Sequence, residues 1–145
     1  MIKFRKAALS DLSLLYVWRN DPQTRQNSIS TEAIPAKAHA EWLKASLSTP
    51  SREIYIGLES EIPVGSVRLD RNSSGWILSW TIAPEKRGKG LGKEMVKQAT
   101  TLVEGEILAE IKLGNAASMK IAEYAGFKQV SVSGDLTHWK KTSSR

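Results

Sequence analysis

The sequence has no cysteine, and its only histidines, His39 and His138, lie far apart in the chain. The absence of cysteine excludes a disulfide framework, a thiolate metal site and a cysteine nucleophile. The spacing of the two histidines does not indicate a metal cluster. No apolar run approaches membrane-spanning length, and the apolar residues of the basic N-terminal stretch MIKFRKAALS are too scattered for a signal-peptide core. We therefore expect a cytoplasmic protein with no metal and no membrane association.

Composition and charge indicate a globular domain with a basic surface. The 145 residues, of which 41% are hydrophobic and 25% charged, suit one domain over residues 1–145 with a substantial core. The net charge of +6 suits nucleic acid, a membrane surface, a small anionic ligand or simply a solvated surface. Basic residues are concentrated between Lys86 and Lys93, beside glycines. This local concentration favours a phosphate-bearing small molecule over a long duplex.

The hydrophobic pattern predicts elements in the order β-α-α-β-β-β-α-β-α-β-β. In the first third, Ile2 and Phe4 alternate with basic residues in an opening strand. We place a first helix after an N-cap at Ser10 and end it before Pro22. The polar stretch QTRQNSISTEAI is interpreted as a loop, and a second helix begins at Pro35. The predicted inner face of that second helix carries His39, Trp42, Leu43 and Leu47.

The rest of the chain reads as strands and two further helices. The runs EIYIGLE, PVGSVRLD and WILSWTIA, separated by short turns, predict an antiparallel meander. A helix follows, with Leu91, Met95, Ala99 and Leu102 on one face. The strand EILAEIKL, the helix NAASMKIAEYA ended by Gly126, and the terminal strands FKQVSV and LTHWKK complete the chain. This order predicts an α+β domain with helices over a mixed, mostly antiparallel sheet.

The stretch APEKRGKGLGKEMV places Gly88, Gly90 and Gly92 between a predicted strand and a predicted helix. A Walker A loop would need glycine where Arg87 stands and a hydroxyl side chain where Glu94 stands, so that interpretation fails. The dinucleotide fingerprint needs the spacing G-x-G-x-x-G, which these glycines do not have.

The pattern that fits the stretch is R-x-x-G-x-G at the start of a helix. Glycine lets the backbone approach an anion closely, and a helix N-terminus offers unpaired N–H groups and a positive dipole end. Lys89 and Lys93 would add charge at the rim of such a site. The loop is therefore either a pyrophosphate cradle or a tight glycine turn without a ligand.

Together with NAASMKIAEYAGF, residues 115–127, this loop resembles the GNAT superfamily of acetyl-CoA-dependent N-acetyltransferases. That family carries R/Q-x-x-G-x-G/A after its fourth strand and, further on, N-x-x-S/A in a segment that ends in Gly-Phe. The resemblance covers nearly the whole chain and implies a GNAT-like α+β sheet with helices on both faces. It also implies acetyl-CoA as cosubstrate, its pyrophosphate on the loop amides and its pantetheine arm beside a fourth strand splayed from the fifth. The implied cofactor-binding residues are Trp80, Thr81, Ile82, Arg87, Gly88, Lys89, Gly90, Leu91, Gly92, Lys93 and Asn115.

Acetyl transfer to an amine needs a neutral nucleophile, a donor to the developing oxyanion and a proton for the leaving thiolate. A backbone N–H between Ser79 and Ile82 is the expected oxyanion donor. Many family members carry a tyrosine acid where this chain has Ala122. Tyr124 stands about 200° further round a helix of 3.6 residues per turn, so we expect it to face away and water to protonate the thiolate. The candidates for the base are Ser79 through a water, His39, His138 and Glu53.

The N-terminal third resembles one group of this superfamily, the N-acetyltransferases of nucleotide-linked amino sugars in pseudaminic acid biosynthesis. The resemblance rests on WRNDPQTRQNSIS and on AHAEWL downstream. It implies that Arg19 and Arg25 bind a diphosphate and that Trp18 or Trp42 offers a flat surface to a sugar or base. Taken singly, Trp18 is equally explained by helix packing, Arg19 by its position at a helix C-terminus and His39 by the core edge. The implied acceptor-binding residues are Trp18, Arg19, Asn20, Arg25, His39 and Trp42.

Three functions stay open at this point. The first is acetylation of a nucleotide-linked amino sugar. The second, acetylation of a protein or peptide N-terminus or of another small amine, suits an acidic cleft, but the loop QTRQNSIS has no acid. The third, a non-catalytic basic binding module, needs basic residues among aromatics on an exposed sheet face, and LSWTIA has none. We expect a small-molecule acceptor and no nucleic acid, in a monomer or a homodimer.

Overall fold

The computed structural model describes residues 1–144. After β1 (Lys3–Lys6) come α1 (Leu12–Asn20), α2 (Pro22–Gln26) and α3 (Ala36–Leu47), and then β2 (Arg52–Glu59), β3 (Ile62–Asn72) and β4 (Gly75–Ile82). The chain continues with α4 (Leu91–Ala99), β5 (Gly105–Lys112), α5 (Ala116–Tyr124), β6 (Lys128–Ser133) and β7 (Leu136–Ser143). Short 3-10 turns at Leu9–Asp11 and Pro84–Lys86 lie before α1 and α4.

The strands form one sheet of seven in the order β1-β2-β3-β4-β5-β7-β6. Each neighbouring pair is antiparallel except β4 and β5, which are parallel. The predicted mixed, mostly antiparallel sheet is therefore confirmed. The β4–β5 pair lies in the middle of the sheet, where the crossover through α4 joins the two strands.

Helices cover both faces of the sheet, because successive side chains of a strand point to opposite sides. On one face α4 and α5 bury Met95 and Ala122 against β3, β4 and β5. On the other face α1 and α3 bury Trp18 and Leu43 against β2 residues such as Ile56. The helices therefore pack on both faces of the sheet, as the resemblance implied, and each face has its own hydrophobic core.

Several predicted details of the first helices were wrong. Ser10 does not cap α1: Asp11 occupies the N-cap position, and its carboxylate accepts from the Ala8 N–H and pairs with Arg5 at 2.8 Å. The predicted loop after Pro22 contains the helix α2, which has no buried residue. Its sequence PQTRQ has no apolar periodicity, so the hydrophobic pattern could not reveal it.

Two helix faces also differ from the prediction. In α3, His39 and Leu43 are buried, but Trp42 and Leu47 are each 37% exposed. The helix α4 ends at Ala99, so Leu102 lies beyond it and packs against the core from the following turn. None of the helices in residues 1–144 has both the length and the apolarity to span a bilayer.

Candidate active site

A cleft of about 810 Å³ opens where β4 and β5 separate. Within the described chain the two strands pair only at Trp76–Ile107 and Ile77–Leu108. Beyond these pairs, Ser79 and Thr81 of β4 line one side of the cleft, and Ile111 of β5 lines the other. The edge of β4 that faces β5 therefore stays open, and an open edge can pair with an extended ligand.

The glycine loop forms one end of this cleft. Gly88 and Gly90 both have φ of +77°, a conformation that favours glycine strongly. A Cβ atom at either position would meet no atom within 4 Å, so the backbone here faces open space. Gly90 is the N-cap of α4, and no side chain among the described residues caps that terminus. An uncapped first turn has N–H groups without a helical partner, and such groups are suited to bind an anion.

The third glycine has a packing role. A Cβ atom on Gly92 would lie 2.9 Å from Ile121 Cδ1 and 3.2 Å from Ile82, so Gly92 lets α4 approach α5 closely. The two lysines of the loop also differ in position: Lys93 lines the cleft, whereas Lys89 does not. Leu91 does not line the cleft either. All of the predicted cofactor-binding residues except Lys89 and Leu91 therefore line the cleft.

The N-terminus of α5 faces the same cleft. Asn115 is its N-cap, and Asn115 Oδ1 accepts from the Ser118 N–H at 3.2 Å. Both residues line the cleft. On β4, Trp80 and Ile82 also line the cleft and pack against the α4–α5 core, with the Trp80 ring 6.5 Å from that of Phe127.

The side chain of Arg87 contacts residues 21 and 24, at the start of α2. Its Nη2 donates to Asp21 Oδ2 and to Thr24 Oγ1, both at 2.8 Å. The guanidinium thus binds the start of α2, although its backbone belongs to the glycine loop and the residue lines the cleft. Burial raises the pKa of Asp21, but hydrogen bonds from Arg87 and Thr24 outweigh burial and hold that pKa below its usual value.

A second cavity of about 480 Å³ adjoins the cleft on the α1–α3 face of the sheet. After the two sites that the sequence resemblance implies, we call the second cavity the acceptor pocket and the first the donor cleft. The two share a set of lining residues, so they meet along β4; the shared residues are Arg19, Arg68, Ser79, Trp80 and Thr81. Among residues 1–144, no aspartate or glutamate lines the acceptor pocket.

His39 forms part of the pocket wall. Its side chain lies between Tyr16, at 5.4 Å between ring centroids, and Trp42, at 5.6 Å. It is 3% exposed, and in the described chain its Nε2 has no hydrogen-bond partner. Burial, and then the charge of Arg19, lower the pKa of His39. The imidazole is therefore neutral near pH 7 and able to accept a proton.

Arg19 and Arg68 supply the positive charge of the pocket. Arg19 Nη2 donates to the Ser30 carbonyl at 3.1 Å, while its buried Nη1 is unpartnered among the described residues. Burial, and then the charges of Arg25 and Arg68, lower the pKa of Arg19. Arg68 Nε donates to Asp70, which Arg52 shares. One carboxylate thus serves two arginines, and the pocket keeps a net positive charge.

Sequence reasoning missed Arg68. The strand PVGSVRLD places Ser66, Arg68 and Asp70 on one face by its period of two. Only the register with β4, in which Arg68 stands opposite Ser79, brings that face to the pocket. The alternation was visible in the sequence, but the register was not.

Comparison with known proteins decides the family. The family described as "Acetyltransferase (GNAT) domain" matches residues 2–128. The chain belongs to this family. A search of curated proteins found no match.

Solved structures share the GNAT fold at low sequence identity. Spermidine N-acetyltransferase from Vibrio cholerae, in complex with CoA and spermine, has a TM-score of 0.86 and 15% identity over 97% of this chain and 95% of that one. AAC(6')-Ib, in complex with ribostamycin and coenzyme A, has a TM-score of 0.84 and 20% identity over 97% of this chain and 93% of that one. A domain from Methanocaldococcus jannaschii has a TM-score of 0.83 and 24% identity over 99% of each chain.

Membership in the family makes this protein an N-acetyltransferase that takes its acetyl group from acetyl-CoA. The structure fits that donor, because the open β4 edge and the uncapped α4 N-terminus lie in one cleft. No group of three or more potential metal ligands is assembled within residues 1–144.

The other predicted acceptor residues of this GNAT protein lie in different places. Trp18 and Trp42 line the pocket. Asn20 and Arg25 line neither cavity. The Asn20 amide exchanges two hydrogen bonds with the Ile34 backbone, and Arg25 Nε donates to the Thr31 carbonyl at 3.2 Å. Both side chains thus bind backbone groups of the segment between α1 and α3.

The remaining acid and base candidates lie outside both cavities. Glu53 accepts from the Tyr55 hydroxyl at 2.6 Å, and His138 Nδ1 lies 3.8 Å from Glu110 Oε2. The Tyr124 hydroxyl donates to Glu94 Oε1 at 2.5 Å on the outer side of α4. Of the predicted base candidates, only His39 and Ser79 line a cavity.

Proposed function

We propose that this GNAT enzyme acetylates the primary amine of a nucleotide-linked amino sugar. The observation that carries the proposal is the acceptor pocket, which joins the donor cleft and presents Arg19 without a carboxylate partner in the described chain. A buried guanidinium nitrogen without a partner among the described residues, such as Arg19 Nη1, is costly unless an anion binds it. The diphosphate of a sugar nucleotide is such an anion, and arginine binds phosphate in bidentate geometry.

The donor side follows from the glycine loop. Acetyl-CoA, when bound, supplies the acetyl group as an activated thioester. We propose that the backbone N–H groups of the loop and of the first turn of α4 hold its pyrophosphate, with Lys93 at the rim. The open β4 edge from Trp80 to Ile82 and the Asn115 side chain would orient the pantetheine arm. Holding both reactants in one geometry supplies much of the rate of a group transfer.

On the acceptor side we assign the proton transfer to His39. Its neutral Nε2 in the pocket wall is suited to accept a proton from the acceptor ammonium before attack, or from the amine nitrogen as it bonds to the acetyl carbon, directly or through a water held by Ser79. A backbone N–H of β4 between Ser79 and Ile82 is the proposed oxyanion donor. Trp42, stacked on His39 with the guanidinium carbons of Arg52 and Arg68 each 5.8 Å from its ring centroid, offers a flat surface to the sugar or base.

A second candidate acceptor is a small polycationic amine. It is favoured by the structural neighbours, which were crystallised with spermine and with ribostamycin. The charges of the acceptor pocket disfavour a polycationic acceptor, because Arg19 and Arg68 would repel it and no lining carboxylate among residues 1–144 would attract it.

An acetylation screen read by thiol release separates these candidates. Acceptors would include UDP-linked amino sugars, spermidine, an aminoglycoside and a peptide with a free N-terminus. We expect turnover of the UDP-amino sugars. Arg68→Gln should raise their KM about tenfold or more, since a lost charge-assisted hydrogen bond is worth about 1.5–3 kcal/mol. Arg71→Gln, which removes an exposed arginine outside both cavities, is the control. Turnover of spermidine or the peptide alone would discard the sugar proposal.

A further inference from the structure

The segment of residues 21–30, which we call the arm, lies along one side of the donor cleft. Thr24 and Ser28 are among the arm residues that line it. The arm contains α2, which buries no residue, and Ile29 is 74% exposed. Since apolar packing does not hold the arm in place, polar contacts must do so.

Two cations from opposite sides of the cleft make those contacts. Arg87, in the glycine loop, donates to Asp21 and Thr24 at 2.8 Å and to Gln23 Oε1 at 3.4 Å. Lys112, at the end of β5, donates from Nζ to the Gln26 carbonyl at 3.0 Å and to the Ser28 carbonyl at 3.1 Å. The arm is thus tied at both ends of α2 and bridges the splayed strands.

The position of the arm in turn sets the acceptor pocket. Asp21 directly follows the C-terminus of α1, the helix that carries Arg19. Further along the arm, the Ser30 carbonyl accepts from Arg19 Nη2 at 3.1 Å. A shift of the arm would therefore move the guanidinium that faces the acceptor.

We propose that Arg87 is a positioning residue: its guanidinium holds the arm beside the donor cleft, and thereby Arg19 in the acceptor pocket, and does not serve as a ligand of the donor phosphates. The Arg87–Asp21 contact is largely shielded, with the side chains 27% and 18% exposed, so it is stronger than a surface pair. Turning the guanidinium to a phosphate would leave the Asp21 carboxylate without this partner. The glycine-loop amides supply an anion site without the side chain. This inference rests on the proposed function only where its test measures KM and kcat for the acceptor.

The test compares Arg87→Gln, Asp21→Asn and the double variant, with Arg71→Gln as the matched arginine control. Acetyl-CoA affinity is measured by calorimetry, acceptor KM and kcat by thiol release, and the mobility of residues 21–30 by amide hydrogen exchange. Each single variant should raise acceptor KM about tenfold, the loss expected for one charge-assisted contact, and speed exchange in the arm. Acetyl-CoA affinity should change by less than about twofold. The double variant should match the singles, because both remove the same contact.

A different pattern would overturn the inference. If Arg87→Gln weakens acetyl-CoA binding about tenfold while Asp21→Asn does not, Arg87 is a phosphate ligand. If no acceptor is turned over, the proposed function fails, but exchange and calorimetry still decide the role of Arg87. Unchanged amide hydrogen exchange of the arm in both single variants would then contradict the positioning role of Arg87. Thr24→Val, which removes one Arg87 contact and keeps the ion pair, should give a smaller increase in exchange and remains usable if the charge variants do not fold.

Discussion

His39 is the side chain whose chemistry depends most on its surroundings. Its pKa is lowered by burial and then by Arg19, whereas in the unfolded chain it titrates near 6.5. Below about pH 6.5 the unfolded state therefore binds the extra proton, and the free energy of unfolding falls as pH falls. Denaturant titrations from about pH 7 to about pH 5 should show a smaller decline for His39→Gln than for the native protein.

The same substitution tests the proposed proton transfer. The acidic limb of kcat/KM should lie below about pH 6.5 in the native enzyme and be absent from the residual activity of His39→Gln. The carboxylates with lowered pKa, Asp11 and Asp21, are common to both proteins, so they cancel in the difference. Equal pH slopes of stability and an unchanged rate profile would contradict the assignment of His39.

At the scale of single residues, the sequence was more informative about backbone than about side-chain partners. The special backbone conformation of Gly88 and Gly90 could be predicted from the sequence, because it is local. The partners of Arg87 and Lys112 lie more than sixty residues away in the sequence, so no local pattern could assign them. Arg68 was missed because the register of β3 with β4 was not visible in the sequence.

At the scale of elements, the glycine loop offers a sharp experiment. Valine at Gly90 is strained by about 1–2 kcal/mol, because φ is +77°, and its side chain would occupy the open space in front of the loop. Gly90→Val should abolish acetyl-CoA binding in calorimetry while the domain stays folded. Gly134→Val is the matched control, because Gly134 also has positive φ (+61°) and open space but lies in the β6–β7 turn. Unchanged acetyl-CoA affinity in Gly90→Val would contradict the placement of the donor site.

The order of elements was predictable wherever apolar periodicity was strong. Alternation marked the strands β2, β3 and β4, and a repeating apolar face marked α4. The helix α2 was not predicted, because its formation depends on a Pro at its start, on the Asp21 cap and on tertiary contacts. The start of α1 was displaced by one residue, because Asp11 gains an ion pair with Arg5 that Ser10 could not form.

At the scale of the whole molecule, the site arises where the sheet divides. Each face has its own core, and the separation of β4 from β5 connects the two faces through one opening. The α4–α5 face contributes the glycine loop, to which we assign the donor, and the α1–α3 face contributes the cationic pocket, to which we assign the acceptor. The sheet thus brings together two binding surfaces that lie far apart in the sequence.

The charge distribution of the molecule gives the last prediction. The net charge is +6, and two of the positive residues, Arg19 and Arg68, line the acceptor pocket, where no carboxylate of the described residues does. Raising the salt from about 0.01 M to about 1 M shortens the Debye length from about 30 Å to about 3 Å. At saturating acetyl-CoA, kcat/KM for a UDP-amino sugar should fall along this series. Any slow turnover of spermidine should rise, because screening relieves its repulsion from the same arginines. A flat profile for the sugar nucleotide, or a fall for spermidine, would show that these arginines do not select the acceptor by charge.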